Sequence, residues 1–537
     1  MNTGKIKAMF GLVKKSLYVW VVQYHFVIPP VILKRYIHKF RHEGSNISRY
    51  GNRFYNPMVP EEYNTWLSFQ TFEEKKPFTD ITFIGRAVWT PQDGIINNEP
   101  MHVLDLKDVH TEYVCIAEAK VSFYEQFFSY LNECVKYDVL YFDHDTVKDN
   151  VRCNPILKPD YSYNTLRGYN YIGNCWVVKT DLLKQFEGQP WNPYRWLLEL
   201  SEQNRSFGHV QKILYSDTKE DKDESDTVRQ YLKDHDIKAD VTVNPDGISH
   251  SVMYALKEKP LISILIPTKD GLDVLKTCID SIFEKTTYDN YEIIIADNRS
   301  EKEETFAWFD TVQKEHDNVH VIRVDTPFNF SLINNRMAEA AHGDYYVLLN
   351  NDTSVVTEDW LEKMLSYAQR DNVGSVGAML WYPDGTIQHG GVVMGKGGGV
   401  AHRYYRCPHD QKGYLYTLEM PNDVICCTAA CLMTSRKCWE QLHGLNEELT
   451  VQFNDVDYGL RLLKAGYFNV FLPNVELIHY ESKSRGIDLD KEAVKRYTSE
   501  VEWVQKTYAN EIQHDPFYND NFDKNYDYQL VVGTGSN

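Results

Sequence analysis

The sequence predicts an α/β protein whose C-terminal half is built on a parallel sheet. Four apolar runs have the length and continuous hydrophobicity of strands that are buried on both faces: residues 261–268, 291–298, 319–325 and 345–351. Two segments with helical patterning, residues 273–286 and 301–316, separate the first three runs. Strands that alternate with helices indicate an open sheet in which ligands bind beyond the carboxyl ends of the strands.

Polar residues close three of these strands. Thr268 ends the first strand, Asp297 lies at the end of the second, and Asp352 follows the fourth. Because the carboxyl ends of parallel strands meet at one edge, we expect these three residues to converge on one crevice. Asp352 alone would equally serve as a cap for the helix that follows it, so its role depends on its partners.

The glycine patterns of common nucleotide-binding folds are missing from the sequence. The turn after the first strand reads PTKDGLD rather than GxGxxG, and GxxxxGK(S/T) does not occur. This disfavours a nicotinamide or flavin enzyme. The net charge of −19 disfavours nucleic acid as the main partner, because phosphate binding needs a basic surface.

Length and cysteine content bound the number of domains and the compartment. A chain of 537 residues exceeds the roughly 250–300 residues that one hydrophobic core reaches, so we expect at least two domains. The ten Cys residues show no zinc-site spacing, and no secretion signal is recognisable. Unpaired thiols without such a signal predict a cytoplasmic protein.

The first 50 residues form a basic segment with an apolar middle. Residues 1–42 contain eight Lys and Arg residues and no Asp or Glu, and residues 17–33 are apolar except for Gln23 and His25. The Pro29-Pro30 pair makes this short stretch a poor membrane-spanning helix. The pattern is typical of a segment lying on the inner face of the cell membrane, or of one packed on the next domain.

Two further segments carry polar residues suited to catalysis. Asp455 and Asp457 precede a short helix, where they could pair with its dipole or supply a general base, and His479 ends a later apolar strand. Taken with Asp352, these residues have the chemistry of a metal-assisted transfer of a nucleotide-activated group. Asp352 and His479 would hold a metal ion that offsets diphosphate charge, and Asp455 would accept a proton.

A family resemblance covers residues 260 to 522 almost without a gap. The matching stretches are IPTKDGLDVLKTCIDSIFEKTTYDNYEIIIADN, PFNFSLINN, LLNNDTSV, YPDGTIQHGGVVMG, TAACLM, FNDVDYGLRLLKAGY, LIHYESKSRG and DPFYNDNF. Together they resemble glycosyltransferase family 2, the inverting enzymes with the GT-A fold. The similarity is greatest to tandem-domain bacterial members that build O-antigen and rhamnose-containing cell-wall polysaccharides.

The resemblance implies roles for individual residues. Thr268 and Asp297 would hold the nucleobase, and Asp455 would be the general base. Asp352 would be the last residue of a DxD-type motif whose first acidic position is Asn350 here, and with His479 it would hold Mn²⁺ or Mg²⁺. The positions that match the lining of the donor site are Asn335, His389 and Arg485.

The resemblance also implies a reaction and its partners. A single base opposite a metal-bound leaving group implies inversion at the transferred sugar. L-Rhamnose from dTDP-rhamnose is the leading donor, UDP-hexose and UDP-galactofuranose are alternatives, and a growing lipid-linked cell-surface glycan is the acceptor. A non-catalytic scaffold that binds nucleotide-sugar or glycan is the alternative from another class, and assembly into a homo-oligomer stays open.

Residues 51–226 resemble a second copy of the same fold that has lost its chemistry. A gapless alignment of residues 111–127 with 344–360 sets Ala119 opposite Asp352, and a second alignment sets Pro193 opposite Asp455. We therefore expect a degenerate, inactive GT-A-like domain. The predicted organisation is a basic segment at 1–50, the degenerate domain at 51–226, a connector at 227–259, the catalytic GT-A domain at 260–486, and a C-terminal helix and tail at 487–537.

Overall fold

The structure is a computed structural model. It describes residues 60–530, apart from residues 69, 73–77, 79, 86, 91–93, 98–102, 118–120, 150, 218–220, 397–398, 481–490, 524–526 and 529. The basic segment predicted at residues 1–50 lies outside the described residues. None of the helices within the described ranges is long and apolar enough to cross a membrane.

The N-terminal half contains a sheet of seven strands. The described strands of this half, including two that lie outside the sheet, are β1 (Ile81–Gly85), β2 (Ala87–Thr90), β3 (Gly94–Asn97), β4 (Tyr113–Ala117), β5 (Val121–Phe123), β6 (Val139–Lys148), β7 (Val151–Ile156), β8 (Cys175–Lys179) and β9 (Phe207–Asp217). Its helices are α1 (Pro60–Ser68), α2 (Phe127–Tyr130), α3 (Tyr163–Gly168), α4 (Thr180–Leu183) and α5 (Pro193–Glu202). The sheet order is β1-β4-β8-β6-β9-β5; β7 pairs with β6, and β2 and β3 form a separate hairpin.

A helix and a hairpin connect the two sheets. The helix is α6 (Ser225–Asp234), and the antiparallel hairpin consists of β10 (Ala239–Val243) and β11 (His250–Tyr254). The hairpin packs on the C-terminal half, where the Tyr367 hydroxyl donates to the Val252 carbonyl oxygen at 2.5 Å and the Tyr367 ring meets Tyr254 edge to face.

The C-terminal half contains a sheet of ten strands. Its strands are β12 (Ile262–Thr268), β13 (Tyr291–Asp297), β14 (Val319–Arg323), β15 (Tyr345–Leu349), β16 (Thr353–Val355), β17 (Val373–Trp381), β18 (Ile387–His389), β19 (Val392–Met394), β20 (Val400–His402), β21 (Asn422–Val424), β22 (Cys431–Ser435) and β23 (Phe468–His479), of which β19 and β20 form a separate hairpin. Its helices are α7 (Leu272–Lys285), α8 (Glu303–Glu315), α9 (Phe330–Ala340), α10 (Trp360–Ala368), α11 (Arg436–Gln441), α12 (Asn454–Lys464), α13 (Lys491–Thr507) and α14 (Ala509–Gln513).

The predicted alternation of strands and helices is confirmed in this half. The order is β14-β13-β12-β15-β22-β17-β23-β16, and the first four strands are the four predicted runs, all parallel to one another. Ile262, Ile264 and Ile266 of β12 are fully buried, as expected for a strand that is covered on both faces. The register sets Thr268 opposite Asp297 at the carboxyl ends. The α/β fold class is therefore confirmed.

The two sheets have the same order of neighbouring strands and the same strand directions. In the first sheet, β1, β4, β8, β6, β9 and β5 are neighbours in that order. In the second, β12, β15, β22, β17, β23 and β16 repeat the order and every parallel or antiparallel direction. Each long parallel pair also shifts register at the same step, between Phe142 and Asp143 in the first sheet and between Ala378 and Met379 in the second. In the described part of the first sheet, β13 and β14 have no counterpart.

The strand pairing corrects the sequence alignment by one residue. Three residues separate β15 from β16, and three separate β4 from β5. The pairing of β5 with β9 and of β16 with β23 makes Val121 the counterpart of Thr353. The gapless alignment sets Val121 opposite Ser354 instead, so its register is one residue off at this strand. The gapless alignment missed this because apolar strands align almost equally well in either register. Ala119, which the alignment sets opposite Asp352, lies outside the described residues.

A shared interface joins the two halves. Asp423 in β21 accepts hydrogen bonds from Ser162 and Asn164 at the start of α3. The largest cluster of buried apolar side chains also runs through both halves and includes Trp176 and Trp360. The two sheets are therefore packed around a continuous core.

Candidate active site

Thr268 and Asp297 lie side by side at the carboxyl edge of the second sheet. They are 4% and 3% exposed. Asp297 accepts a hydrogen bond from the Ser300 backbone N–H at 2.9 Å and pairs with Arg323 at the end of β14. Asn351 donates to Thr268 Oγ1 at 2.9 Å. The ends of three parallel strands and the loop after β15 therefore meet in one place, as the sequence predicts.

Asp352 and His479 form a buried pair at the same edge. Asp352 Oδ1 lies 3.0 Å from His479 Nε2, and the two residues are 6% and 4% exposed. The pairing of β16 with β23 holds them together, and the Tyr480 backbone N–H donates to the Asp352 carbonyl oxygen at 2.8 Å. Asn350 Nδ2 lies 3.5 Å from His479 Nε2. The two predicted metal ligands are thus neighbours, although they are far apart in the chain.

The chemistry of this pair fits a divalent cation. His479 Nδ1 is buried and has no hydrogen-bond partner among the described residues. Burying a polar atom without a hydrogen bond typically costs about 1–3 kcal/mol of stability. Carboxylate oxygen and imidazole nitrogen are both common ligands of such ions. In the described ranges, no group of three or more His, Cys, Asp and Glu side chains is placed to hold a metal. Asp352 and His479 would hold such an ion, and a bound diphosphate and water would supply its other ligands.

Asp455 lies in the first turn of α12. Its Oδ2 accepts a hydrogen bond from the Ala429 backbone N–H at 3.1 Å, and its Oδ1 accepts one from the Val456 N–H at 2.8 Å. Burial raises the pKa of Asp455 above its ordinary value, and these hydrogen bonds oppose the rise. A raised pKa strengthens a carboxylate as a general base as long as it stays ionised.

The neighbouring carboxylate, Asp457, has both oxygens engaged. The Tyr508 hydroxyl donates to Oδ1 at 2.6 Å, and Arg461 Nε donates to Oδ2 at 2.7 Å. Arg461 also donates to the carbonyl oxygens of Leu442 and Gly444, which anchors the helix to the preceding loop. Asp457 therefore stabilises α12, and Asp455 is the better-suited base of the two.

One short backbone segment connects Asp455 to the loop that carries Asp352. The Ala429 N–H donates to Asp455, and the Ala430 carbonyl oxygen accepts a hydrogen bond from the Asn350 N–H at 3.1 Å. Asn350 begins the loop that carries Asp352. These residues precede β22, which pairs with both β15 and β17 near the centre of the sheet. Asp455 is therefore linked to the Asp352 loop through two adjacent residues.

The buried side chain of His389 contacts this segment at Thr428. It is fully buried, its Nε2 lies 3.4 Å from the Thr428 backbone nitrogen, and its Nδ1 lies 2.9 Å from His402 Nδ1. Burial lowers the pKa of His389 well below its ordinary value and the pKa of His402 to about 4, so both rings are neutral near pH 7. If Nε2 accepts from Thr428, Nδ1 of His389 carries the proton and donates to His402.

The structure does not bring Asn335 to this site. Its Nδ2 donates to the Leu445 carbonyl oxygen and to Glu447, both at 3.0 Å, and its Oδ1 accepts from the Leu445 N–H at 2.9 Å. The amide is used to hold the loop before α12, so we leave Asn335 out of the proposed donor site. Arg485 lies outside the described residues.

Sequence reasoning missed three residues that the structure places here. Arg323 ends β14 in the structure and lies near the end of the predicted run 319–325, so a search for polar residues close to the strand ends would have included it. Asn351 stands beside Asp352 in the NNDT stretch and could have been found in the same way. His402 gave no signal, because its contact with His389 depends on how the β19–β20 hairpin folds onto β18.

The second sheet has four parallel strands on one side, the Asp352–His479 pair at its carboxyl edge and Asp455 in a nearby helix start, as the resemblance to GT-A glycosyltransferases implies. Residues 263–438 match the family model for glycosyl transferase family 2. The C-terminal half therefore carries a domain of this family, and the predicted GT-A fold class is confirmed for it. Asp455 and His479 lie beyond the matched residues.

Curated relatives extend the similarity into the N-terminal half. Protein y4gI of Sinorhizobium fredii (strain NBRC 101917 / NGR234) is 36% identical over 409 residues, and the O-antigen biosynthesis protein RfbC of Myxococcus xanthus is 33% identical over 410 residues. Both alignments cover 71% of this chain but only 45% and 31% of those proteins. The chain therefore spans less than half the length of either relative.

Two weaker similarities concern single segments or the fold. An N-acetylglucosaminyl-diphospho-decaprenol L-rhamnosyltransferase of Mycobacterium tuberculosis (strain CDC 1551 / Oshkosh) is 36% identical over 61 residues, which are 11% of this chain and 20% of that enzyme. Among solved structures, the mannosyltransferase PcManGT from Pyrobaculum calidifontis, in complex with GDP-Man and Mn²⁺, has a TM-score of 0.33 and 16% identity over 43% of this chain and 59% of its own.

Proposed function

We propose that the C-terminal half transfers a sugar from a nucleotide-sugar donor to a hydroxyl group of a glycan acceptor. The observation that carries this proposal is the link from Asp455 through Ala429 and Ala430 to Asn350, which starts the Asp352 loop. It ties a general base to a pair of metal ligands. That is what an in-line displacement needs, with the nucleotide leaving on one side of the sugar and the acceptor attacking on the other.

Each chemical step has a residue suited to it. Asp455 takes the proton from the acceptor hydroxyl while that oxygen forms its bond to the anomeric carbon. Thr268 and Asp297 hold the nucleobase, with Asn351 and Arg323 fixing their side chains. A Mn²⁺ or Mg²⁺ ion held by Asp352 and His479 would neutralise charge on the departing diphosphate.

The proposed stereochemical outcome is inversion. Retention by double displacement would need a second free carboxylate to attack the sugar. Asp457 is the other acidic residue in the first turn of α12, and its oxygens are taken by Tyr508 and Arg461. A single displacement with Asp455 as base therefore accounts for the arrangement better.

The leading donor is dTDP-L-rhamnose, and the acceptor is a growing lipid-linked cell-surface glycan. Similarity to an O-antigen biosynthesis protein supports the acceptor class, and the short similarity to a rhamnosyltransferase supports the sugar. UDP-hexose and UDP-galactofuranose are the alternative donors. A lipid-linked acceptor also suits the basic segment at residues 1–50, which we propose docks on the inner face of the membrane.

The N-terminal half is proposed to be a non-catalytic copy of the same domain. Its sheet repeats the second sheet from β12 onward but has no described counterpart of β13, the strand that carries Asp297. Neither Ala119 nor Lys120, the two residues that precede β5 in the sequence, is acidic like Asp352. The first turn of α5 contains no acidic residue, whereas the first turn of α12 contains Asp455 and Asp457. These replacements remove both the metal carboxylate and the base.

A donor panel tests the proposal. The full chain is incubated with dTDP-rhamnose, UDP-glucose, UDP-galactose and UDP-galactofuranose, with membrane extract as acceptor and with or without Mn²⁺, and release of nucleoside diphosphate is measured. We expect metal-dependent release from one donor and none from Asp352→Ala. Donor binding without release, in the presence of acceptor extract, would instead support the scaffold that binds nucleotide-sugar without chemistry. Asp371→Asn, a change at an exposed position, is the matched control.

A further inference from the structure

Helix α13 reaches the loop that comes just before the proposed base. We propose that Glu500 in this helix is a positioning residue, which holds residues 450–452 so that Asp455 stays in place for proton transfer. The inference rests on the proposed function of Asp455. The helix lies beyond residues 263–438, where the family similarity was found.

Glu500 is a buried carboxylate with four hydrogen-bond donors. It is 4% exposed. Its Oε1 accepts from the Thr450 backbone N–H at 2.8 Å, from Thr450 Oγ1 at 2.8 Å and from the Val451 N–H at 3.2 Å, while its Oε2 accepts from the Gln452 N–H at 2.9 Å. Three consecutive residues of the loop are therefore fixed by one side chain. A buried charge of this kind is tolerated because the donors replace its hydration.

The loop needs such support because its last residue is strained. Phe453, the N-terminal cap of α12, has φ of 62° in the left-handed region, although it is not glycine. Residues held in that region persist only where their surroundings determine the conformation, and they cluster at functional sites. Asp455 is two residues further on. A shift at Phe453 would therefore move the carboxylate of the base directly.

The same helical segment holds α12 at a second point. The Tyr508 hydroxyl, beyond the end of α13, donates to Asp457 at 2.6 Å. Val504 and Tyr508 pack in one apolar cluster with Val456 and Leu460 of α12. Glu500 thus fixes the loop before the base helix, and Tyr508 fixes its first turn.

Helix α9 contacts the loop through other atoms. The Phe330 N–H donates to the Thr450 carbonyl oxygen at 2.7 Å, and Ser331 Oγ donates to the Leu449 carbonyl oxygen at 2.6 Å. These contacts use the carbonyl groups of the loop, whereas Glu500 uses its N–H groups. Loss of Glu500 would leave the loop attached on one side only, which predicts a displaced base rather than an unfolded domain.

The test compares Glu500→Gln with Glu502→Gln, which makes the same change at an exposed position of the same helix. Active sites are counted by titration with the nucleoside diphosphate of the donor found in the panel, so that kcat refers to folded sites only. We expect kcat per site to fall about tenfold to a hundredfold in Glu500→Gln, with the Kd of the nucleoside diphosphate unchanged. We also expect faster amide hydrogen exchange in residues 450–453. Glu502→Gln should match the wild type in every measurement.

The outcomes separate this inference from the proposed function. If the wild type releases nucleotide and Glu500→Gln keeps the wild-type kcat per site, the positioning role is wrong and the transferase function stands. If the wild type turns over no donor, the proposed function fails and the role of Glu500 fails with it. If Glu500→Gln does not fold, Thr450→Val carries the test, since it removes the hydroxyl donor to Glu500 Oε1 and leaves Glu500 in place. An unchanged kcat per site in that variant would overturn the inference.

Discussion

Asp423 links the two halves through a buried carboxyl group that is expected to respond to pH. Its Oδ2 accepts hydrogen bonds from Ser162 Oγ and the Asn164 N–H, both at 2.9 Å, and its Oδ1 accepts one from Asn164 Nδ2 at 2.6 Å. Burial nevertheless raises the pKa of Asp423 from 3.8 to about 6, because the cost of removing the charge from water exceeds what these bonds return.

The sign of the effect on stability follows from this shift. The folded protein binds the Asp423 proton more tightly than the unfolded chain does. The stabilising contribution of the protonated group is therefore fully present below pH 3.8 and is lost as the pH rises through about 6. A shift of about two pKa units corresponds to about 3 kcal/mol of unfolding free energy.

The variant Asp423→Asn isolates this contribution, because asparagine has nearly the same shape and no charge. We measure the unfolding free energy of both proteins by urea denaturation. We expect the value for Asp423→Asn minus the value for the wild type to increase by about 3 kcal/mol between about pH 4 and pH 7.5. Asp371→Asn, at an exposed position, should run parallel to the wild type over this range. A constant difference between Asp423→Asn and the wild type at every pH would refute the reasoning.

Three further predictions concern His514 in the C-terminal tail, Gly459 in helix α12 and the proposed metal ligand His479. His514 bridges Asp160 and Asp520, and these carboxylates raise the pKa of His514 to about 10. The difference in melting temperature between wild type and His514→Gln should therefore be largest near about pH 6 and vanish as the pH rises through about 10. A difference that grows with pH would contradict this. In Gly459→Ala the new Cβ would lie 2.3 Å from Cys426 Cβ, so urea denaturation should show a loss of about 1–3 kcal/mol, and an unchanged midpoint would refute the packing argument. Mn²⁺ with nucleoside diphosphate should raise the melting temperature of the wild type but not of His479→Ala, and equal shifts would exclude His479 as a ligand.

The parallel strands and their polar ends could be predicted because both depend on local sequence. Continuous apolar runs between helical segments predict parallel strands, and the carboxyl ends of such strands place Thr268 and Asp297 at one edge of the sheet, as the register of β12 and β13 shows. The predicted helix at 301–316 appears as Glu303–Glu315, since its boundaries are set by nearby residues. Such features need no knowledge of distant contacts.

The rest of the site depends on contacts between segments far apart in the chain. The link from Asp455 to Ala429, the His389–His402 pair and the capture of residues 450–452 by Glu500 each join separate elements. The local sequence pattern of one segment does not indicate which other segment it will contact. Asn335 illustrates the converse, because its place in a motif suggested the donor site while its amide holds the loop at Leu445.

The repeated fold shows where sequence comparison loses precision. The duplication is visible in two short alignments, but one of them is displaced by a residue, because runs that are apolar at every position align almost equally well in more than one register. Strand pairing resolves it, since Val121 and Thr353 occupy the same place in the two sheets.

The central claim, that Asp455 is the base of a sugar transfer, is tested most directly by the kinetics of Asp455→Asn. Single-turnover release of nucleoside diphosphate from the donor found in the panel is measured beside the donor Kd. The account predicts a rate constant lower by about 10²-fold to 10⁴-fold with an unchanged Kd, because asparagine keeps the shape of the side chain but cannot accept the proton. A rate constant within a factor of about two of the wild type would contradict the account.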